Sequence, residues 1–183
     1  MANIAIIGSG NVGANTAFFV AERNIGSVLM FDIQDGLAAG KALDMMEAAP
    51  IRGYQHSISA GKEIAEAKEA QVVIVTAGSV REPGMKREDL YSRNAAIIDE
   101  IAPTFRDYTG TVVVATEPVD PMTMRFAAAS GIPSQRVLGL GGVLDSTRLR
   151  HLVARETGIS AENITALVVG RHSAEMIPLR DYC

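Results

Sequence analysis

A chain of 183 residues, 48% of them apolar, with a formal net charge of −4 is long enough to bury a sizeable core, and one domain plus part of a second is its natural count. The charge balance and the lack of any basic run argue against a nucleic-acid partner, and no apolar run approaches the roughly 18 residues of a membrane span. Cys183 is the only cysteine, so no internal disulfide is possible and a reducing compartment such as the cytoplasm is expected.

Residues 3–7, Asn-Ile-Ala-Ile-Ile, form the apolar run expected of a strand buried on both faces. The chain enters this strand directly, so no signal peptide or transit segment is expected. Gly8-Ser9-Gly10-Asn11-Val12-Gly13 follows at once, residues 14–22 carry a helical pattern, and residues 27–31 read as a second strand. Asp32 closes that strand roughly 20 residues past the glycines, the spacing of a dinucleotide-binding fingerprint. The residue types suit the role. Gly8 permits a tight turn out of the strand, Gly10 lets the backbone approach a pyrophosphate, and Gly13 lets the helix lie close to the strand. Asn11 and Val12 lie in the turn that feeds the helix, whose free N–H groups and positive dipole end attract phosphates. Asp32 accepts hydrogen bonds from ribose hydroxyls and repels a 2′-phosphate, which favours NAD over NADP. The competing reading is a glycine turn that merely joins a strand to a helix.

Gln34-Asp35-Gly36 reads as a turn. Residues 37–49 have helical spacing, and Pro50 is expected to stop them. Residues 55–59 are a short candidate strand, and residues 62–70 a short polar helix or turn. Residues 71–76 form the clearest strand after the first. It runs through Thr76 into Ala77-Gly78, where a small backbone suits contact with a cofactor. Residues 79–87 are a polar loop with a Pro83-Gly84 turn signal, placed where doubly wound sheets bind ligands. Residues 88–108 read as a long helix kinked at Pro103. Residues 111–115 are another buried strand, 116–121 a turn, 122–129 a helix and 136–139 a last short strand. Strands alternating with helices predict an α/β fold of the Rossmann kind, a doubly wound parallel sheet with helices on both faces. Gly141-Gly142 then marks a change. Residues 144–156 are expected as a helix with Asp145 and Arg148 on one face. Residues 164–169 are expected as a strand broken by Gly170-Arg171-His172-Ser173, and residues 174–179 as extended chain.

Oxidation of an alcohol by hydride transfer needs a base for the hydroxyl proton, cations for the substrate's acid groups and a bound nicotinamide. His172, in a strand-breaking turn, is the candidate base, and Asp145 the carboxylate that orients its imidazole. Arg148 suits bidentate contact with a carboxylate, and Arg81 and Arg87 lie on the polar loop. Blander readings exist for each: a polar turn residue for His172, a helix N-cap for Asp145, solvated charges for the three arginines. His56 and His151 belong to no motif and read as structural. No His/Cys/Asp cluster has metal-ligand spacing, so no metal is expected.

On these motifs (Gly8-x-Gly10-x-x-Gly13, Asp32, Thr76-Ala77-Gly78, Arg81-x-Pro83-Gly84-Met85-x-Arg87, Leu144-Asp145-Ser146-x-Arg148 and Gly170-x-His172) the chain resembles the lactate/malate dehydrogenase family over its whole length, its malate-type, NAD-dependent members most. The resemblance implies an NAD-binding domain over residues 1–143. Residues 144–183 would begin an α+β catalytic domain, incomplete here, that family members continue well beyond this length. It implies reversible oxidation of (S)-malate to oxaloacetate, a small dicarboxylate as partner, and a homodimer or homotetramer. It gives His172 the role of proton acceptor, Asp145 that of its partner, and Arg148 the anchoring of the 1-carboxylate. Arg87 would polarise the reacting carbonyl, and Asn94 and the backbone of Ala115, Thr116 and Glu117 would contact the cofactor. Arg81 holds the position where lactate enzymes typically place glutamine, and a second cation suits oxaloacetate's second carboxylate. Glu117 stands where the family usually has asparagine. Ionised and ~6 Å from a dicarboxylate, at an effective dielectric of ~20, it would repel by about 3 kcal/mol. A lactate or other 2-hydroxy acid dehydrogenase is the alternative in substrate, and a non-catalytic NAD-binding module the alternative of another class.

Overall fold

The computed structural model describes residues 3–179; Cys183 lies outside them. Six strands, β1 (Ile4–Ile7), β2 (Val28–Phe31), β3 (Ile58–Ala60), β4 (Val72–Val75), β5 (Thr111–Val114) and β6 (Val137–Gly139), make one sheet in the order β3-β2-β1-β4-β5-β6. Every pairing in it is parallel. The chain winds outward from β1 to β3, then returns to lay β4 against the other side of β1. Such a reversal leaves a crevice at the carboxyl ends of the two central strands.

Strand side chains alternate between two cores because successive residues point to opposite faces. Ile4, Ile6, Val28 and Met30 pack with Ala14, Ala17 and Val20 of helix α1 (Asn11–Glu22) and Ala38 and Ala42 of α2 (Leu37–Arg52). Ala5, Ile7, Val73, Val75, Val112 and Val114 pack with Ile98 of α3 (Arg87–Ile101), Phe126 of α4 (Val119–Ser130) and Phe105 between them. The expected doubly wound sheet is therefore present, with both faces covered.

Several boundaries differ from the sequence expectation, mostly at prolines. Helix α2 runs through Pro50 to Arg52 and stops at Gly53, whose φ is 77°. A proline in the last turn removes only one ladder hydrogen bond, and the left-handed glycine supplies the real stop. The helix expected to span 88–108 is α-helical only over Arg87–Ile101. It then tightens into a 3-10 turn over Ala102–Phe105, which accommodates Pro103 without a kinked continuation. Helix α4 begins at Val119, three residues before the expected start, because Pro121 sits in the first turn where its missing N–H costs nothing. The strand expected at 55–59 pairs only over Ile58–Ala60, and the polar segment at 62–70 is a 3-10 helix over Ile64–Glu69.

Beyond the sheet, helix α5 (Gly142–Thr157) starts two residues earlier than expected. It is followed by a two-stranded antiparallel ribbon of β7 (Val168–Val169) and β8 (Ile177–Pro178). Residues 164–167, expected as strand, are irregular. Ser146 ties helix to ribbon: its hydroxyl donates to Gly142 O (2.6 Å) and accepts from Val168 N (2.9 Å). No helix among the described residues is long and apolar enough to cross a membrane.

Candidate functional site

The turn between β1 and α1 is shaped by what its glycines exclude. Gly8 has φ +99°, and a Cβ there would lie 2.6 Å from Ala77 N. A Cβ on Gly13 would lie 1.9 Å from Gly8 O and 2.8 Å from Thr76 Oγ1, so the helix meets the strand end with no room for a side chain. A Cβ on Gly10 would meet nothing within 4 Å. The turn is closed towards the sheet at Gly8 and Gly13 and open at Gly10, the cradle shape that an approaching pyrophosphate requires. Asn11 and Val12 form the first helical turn beside that opening.

Asp32, just past β2, is wired into this turn. Its Oδ2 accepts from Ser9 N (2.6 Å) and its Oδ1 from Gln34 N (2.9 Å). Ser9 is held twice more, its hydroxyl donating to Phe31 O (3.1 Å) and its carbonyl accepting from Lys41 Nζ (2.6 Å). Lys41 and Ser9 carry no sequence signal; a lysine on a helix face looks like any solvated charge.

The ends of β4 and β5 form the opposite wall. Thr76 donates to the carbonyls of Ile7 (3.2 Å) and Gly8 (2.8 Å). Ala115 N donates to Val75 O (2.8 Å), and the Thr116 hydroxyl to Ala77 O (2.7 Å). Asn94, only 1% exposed, accepts from Ser79 N (2.7 Å) and donates to Glu117 O (2.6 Å). Its amide thus staples the loop after β4 to the loop after β5. Gly78 is pressed against both, since a Cβ there would lie 2.8 Å from Thr116 Cγ2 and 3.2 Å from Asn94 Oδ1.

Helix α5 and the turn after β7 bring the titratable groups to the same place. Asp145, 5% exposed, is the fourth residue of α5, and Gly141 occupies the N-cap position, so the cap reading of Asp145 fails. Its Oδ2 lies 2.7 Å from His172 Nδ1. Its Oδ1 accepts no hydrogen bond and lies 3.6 Å from an Arg148 nitrogen. Asp120 Oδ2 accepts from His172 N (2.9 Å), fixing the backbone of the histidine turn. His172 Nε2 is 3.5 Å from Glu117 Oε1. Arg81 reaches back to donate from Nε to Met85 O (3.1 Å), and Arg87 is the first residue of α3.

Two cavities adjoin along the strand ends. One, of about 360 Å³, is lined by Gly8, Phe31, Asp32 and Ile33 among others. The second, of about 650 Å³, is lined by Arg81, Asn94, Glu117, Arg148 and His172. Thr76 and Gly78 border both. A third, of about 470 Å³ between the Tyr108 and Gly131 loops, contains none of the candidate residues. No group of three His, Cys, Asp or Glu side chains among the described residues is placed to hold a metal ion.

The sheet order, the glycine cradle and the acid at the end of β2 define a dinucleotide-binding domain of the Rossmann class. Residues 2–139 match the family model described as "lactate/malate dehydrogenase, NAD binding domain". The chain belongs to the lactate/malate dehydrogenase family, and its dinucleotide domain is one built for NAD. It is 42% identical over 183 residues to the malate dehydrogenase of Oceanobacillus iheyensis, covering 98% of this chain and 59% of that protein. Among solved structures, the malate dehydrogenase from Picrophilus torridus in its apo form superposes with a TM-score of 0.91. Identity there is 42%, over 98% of this chain and 58% of that one. The lactate dehydrogenase from Cryptosporidium parvum, complexed with lactic acid and nicotinamide adenine dinucleotide, gives a TM-score of 0.89. Identity is 36%, over 96% and 56% of the two chains. The chain thus spans less than three fifths of the length of the relatives it matches.

Proposed function

We propose that this chain carries the NAD domain and part of the substrate site of a malate dehydrogenase, which interconverts (S)-malate and oxaloacetate. The observation that supports this most is His172, engaged from behind by buried Asp145 at 2.7 Å, lining one cavity with Arg81 and Arg148. NAD, when bound, supplies the hydride acceptor. Asp145 engages His172 Nδ1 and so directs Nε2 into the cavity, where it takes the hydroxyl proton of the alcohol. Arg148 pairs with the carboxylate next to the reacting carbon, Arg81 with the second carboxylate, and Arg87 polarises the carbonyl in the reverse direction. Gly8, Gly10, Asn11, Val12 and Gly13 hold the pyrophosphate. Asp32 accepts from the ribose, and Thr76, Ala77, Gly78, Ala115 and Thr116 form the wall that Asn94 keeps in place. In this reading residues 1–143 are the cofactor domain and 144–183 the beginning of the substrate domain. The working form is a cytoplasmic homodimer or homotetramer.

The test follows NADH absorbance with oxaloacetate and with pyruvate, beside a calorimetric titration of NADH. Oxaloacetate is the better substrate, and Arg81→Gln removes a charged contact worth roughly 1.5–3 kcal/mol, so its kcat/KM for oxaloacetate falls by about 10- to 150-fold. An unchanged oxaloacetate-to-pyruvate ratio would overturn the dicarboxylate assignment. Asp32→Ser loses a charged acceptor and the repulsion of a 2′-phosphate. NADH affinity then falls by about tenfold or more, while NADPH affinity rises; calorimetry showing the same NADH-to-NADPH ratio would remove Asp32 from the ribose.

A further inference from the structure

His172 has two ring nitrogens, and both face carboxylates. Nδ1 is engaged by buried Asp145 at 2.7 Å. Nε2, the nitrogen left for a substrate, has Glu117 Oε1 3.5 Å away. The two partners are held very differently. Asp145 is fixed inside α5, whereas the Glu117 side chain is 56% exposed. One long hydrogen bond, from Val119 N to Oε2 at 3.3 Å, is what anchors its carboxylate. Its backbone is rigid, since the carbonyl accepts from Asn94 Nδ2 at 2.6 Å. No ion pair among the described residues joins Glu117 to Arg81 or Arg148, which engage Met85 O and Asp145. The acid is thus exposed and held by one long hydrogen bond, with its other oxygen beside the outward nitrogen of the imidazole.

We infer that Glu117 is an internal competitor for His172 Nε2 and thereby a specificity-determining residue. The inference rests on the dehydrogenase reading of the site. The reacting oxygen of a 2-hydroxy or 2-oxo acid must come within hydrogen-bond reach of Nε2, and Glu117 Oε1 lies on that approach. Substrate binding therefore includes displacing this carboxylate, and the displaced charge remains near the cavity. Like charges repel, so a dianion is penalised more than a monoanion. Glu117 narrows the margin by which the two arginines favour a dicarboxylate over a monocarboxylate 2-oxo acid.

Diethyl pyrocarbonate acylates accessible imidazole nitrogen, and the chain has only three histidines, so peptide mass spectrometry resolves the rate at each. The reagent is applied to the wild-type chain, Glu117→Gln and Glu117→Ala, with NADH calorimetry confirming that each binds cofactor. His172 reacts several-fold faster in both variants, while His56 and His151 keep their wild-type rates. With NADH present, oxaloacetate protects His172 at a concentration about tenfold lower in the variants than in the wild type, and pyruvate shows a smaller change. Equal His172 rates in all three proteins would overturn the competition. Faster acylation with unchanged protection by oxaloacetate would overturn the specificity role. Faster acylation with no protection by oxaloacetate in any of the three would uphold the Glu117 contact and instead remove the malate reading.

Discussion

Gly13→Ala abolishes measurable NADH binding and lowers the stability of the sheet domain by at least about 3 kcal/mol. The added methyl would sit 1.9 Å from Gly8 O and 2.8 Å from Thr76 Oγ1. The nearest atom is backbone at the end of a central strand, so no side-chain rotation relieves the clash. Either α1 lifts away from β1, opening the core around Ala14 and Ala17, or the glycine turn deforms and the phosphate cradle is lost. Urea denaturation reads the first loss and calorimetry the second. Gly40→Ala is the control, since a Cβ on that α2 residue would meet nothing within 4 Å and alanine is the better helix former. Retained NADH affinity in Gly13→Ala would mean that the cofactor does not use this turn.

On the proposed malate dehydrogenase reading, His172→Asn lowers oxaloacetate turnover by about 10²–10⁴-fold, the span expected for loss of a positioned general acid–base, and leaves NADH affinity unchanged. The separation of the two effects follows from the layout. The imidazole contacts Asp145 and Glu117, whereas Gly8 and Asp32 line the other cavity. Rapid-mixing absorbance measures the turnover, and calorimetry the affinity. A parallel fall in both would mean that His172 supports the fold and not the proton transfer. Full turnover in the variant would exclude it as the base.

The sheet was legible because buried parallel strands are short apolar runs, as residues 3–7, 27–31, 71–76 and 111–115 are. The glycine turn was legible for a different reason: Gly8 and Gly13 each sit where a Cβ collides with backbone, so the residue type is dictated by space. Prolines were the least legible. Pro50 read as a stop, Pro103 as a kink and Pro121 as part of a turn, yet one lies in a last helical turn, one in a 3-10 extension and one in a first turn. Each position tolerates a missing N–H that the linear pattern treats as an interruption. The pairing of Asp145 with His172 was anticipated from their motifs. The contact of Glu117 with Nε2 was not, because an acid's reach across 55 residues of chain is set by how α5 docks. Lys41 escaped for the same reason: its bond to Ser9 O depends on the angle of α2 over the turn.

The alternation of β1 between two cores has a consequence for how the sheet finds its alignment. Ile4 and Ile6 enter one core, Ala5 and Ile7 the other. Sliding β1 by one residue would exchange apolar for apolar on both faces, so hydrophobicity alone penalises the wrong register weakly. Other contacts distinguish the correct one. Gly8 N donates to Phe31 O at 2.9 Å, Thr76 reaches the carbonyls of Ile7 and Gly8, and Gly8 alone fits against Ala77. These residues make or border the glycine cradle and line the cavity beside it. The cradle therefore acts as an alignment key for the centre of the sheet, and its residues answer to two selections at once. A chain that drifts there does not simply become a domain with a poorer ligand site; it becomes one whose central strands have lost the marks that tell them where to pair.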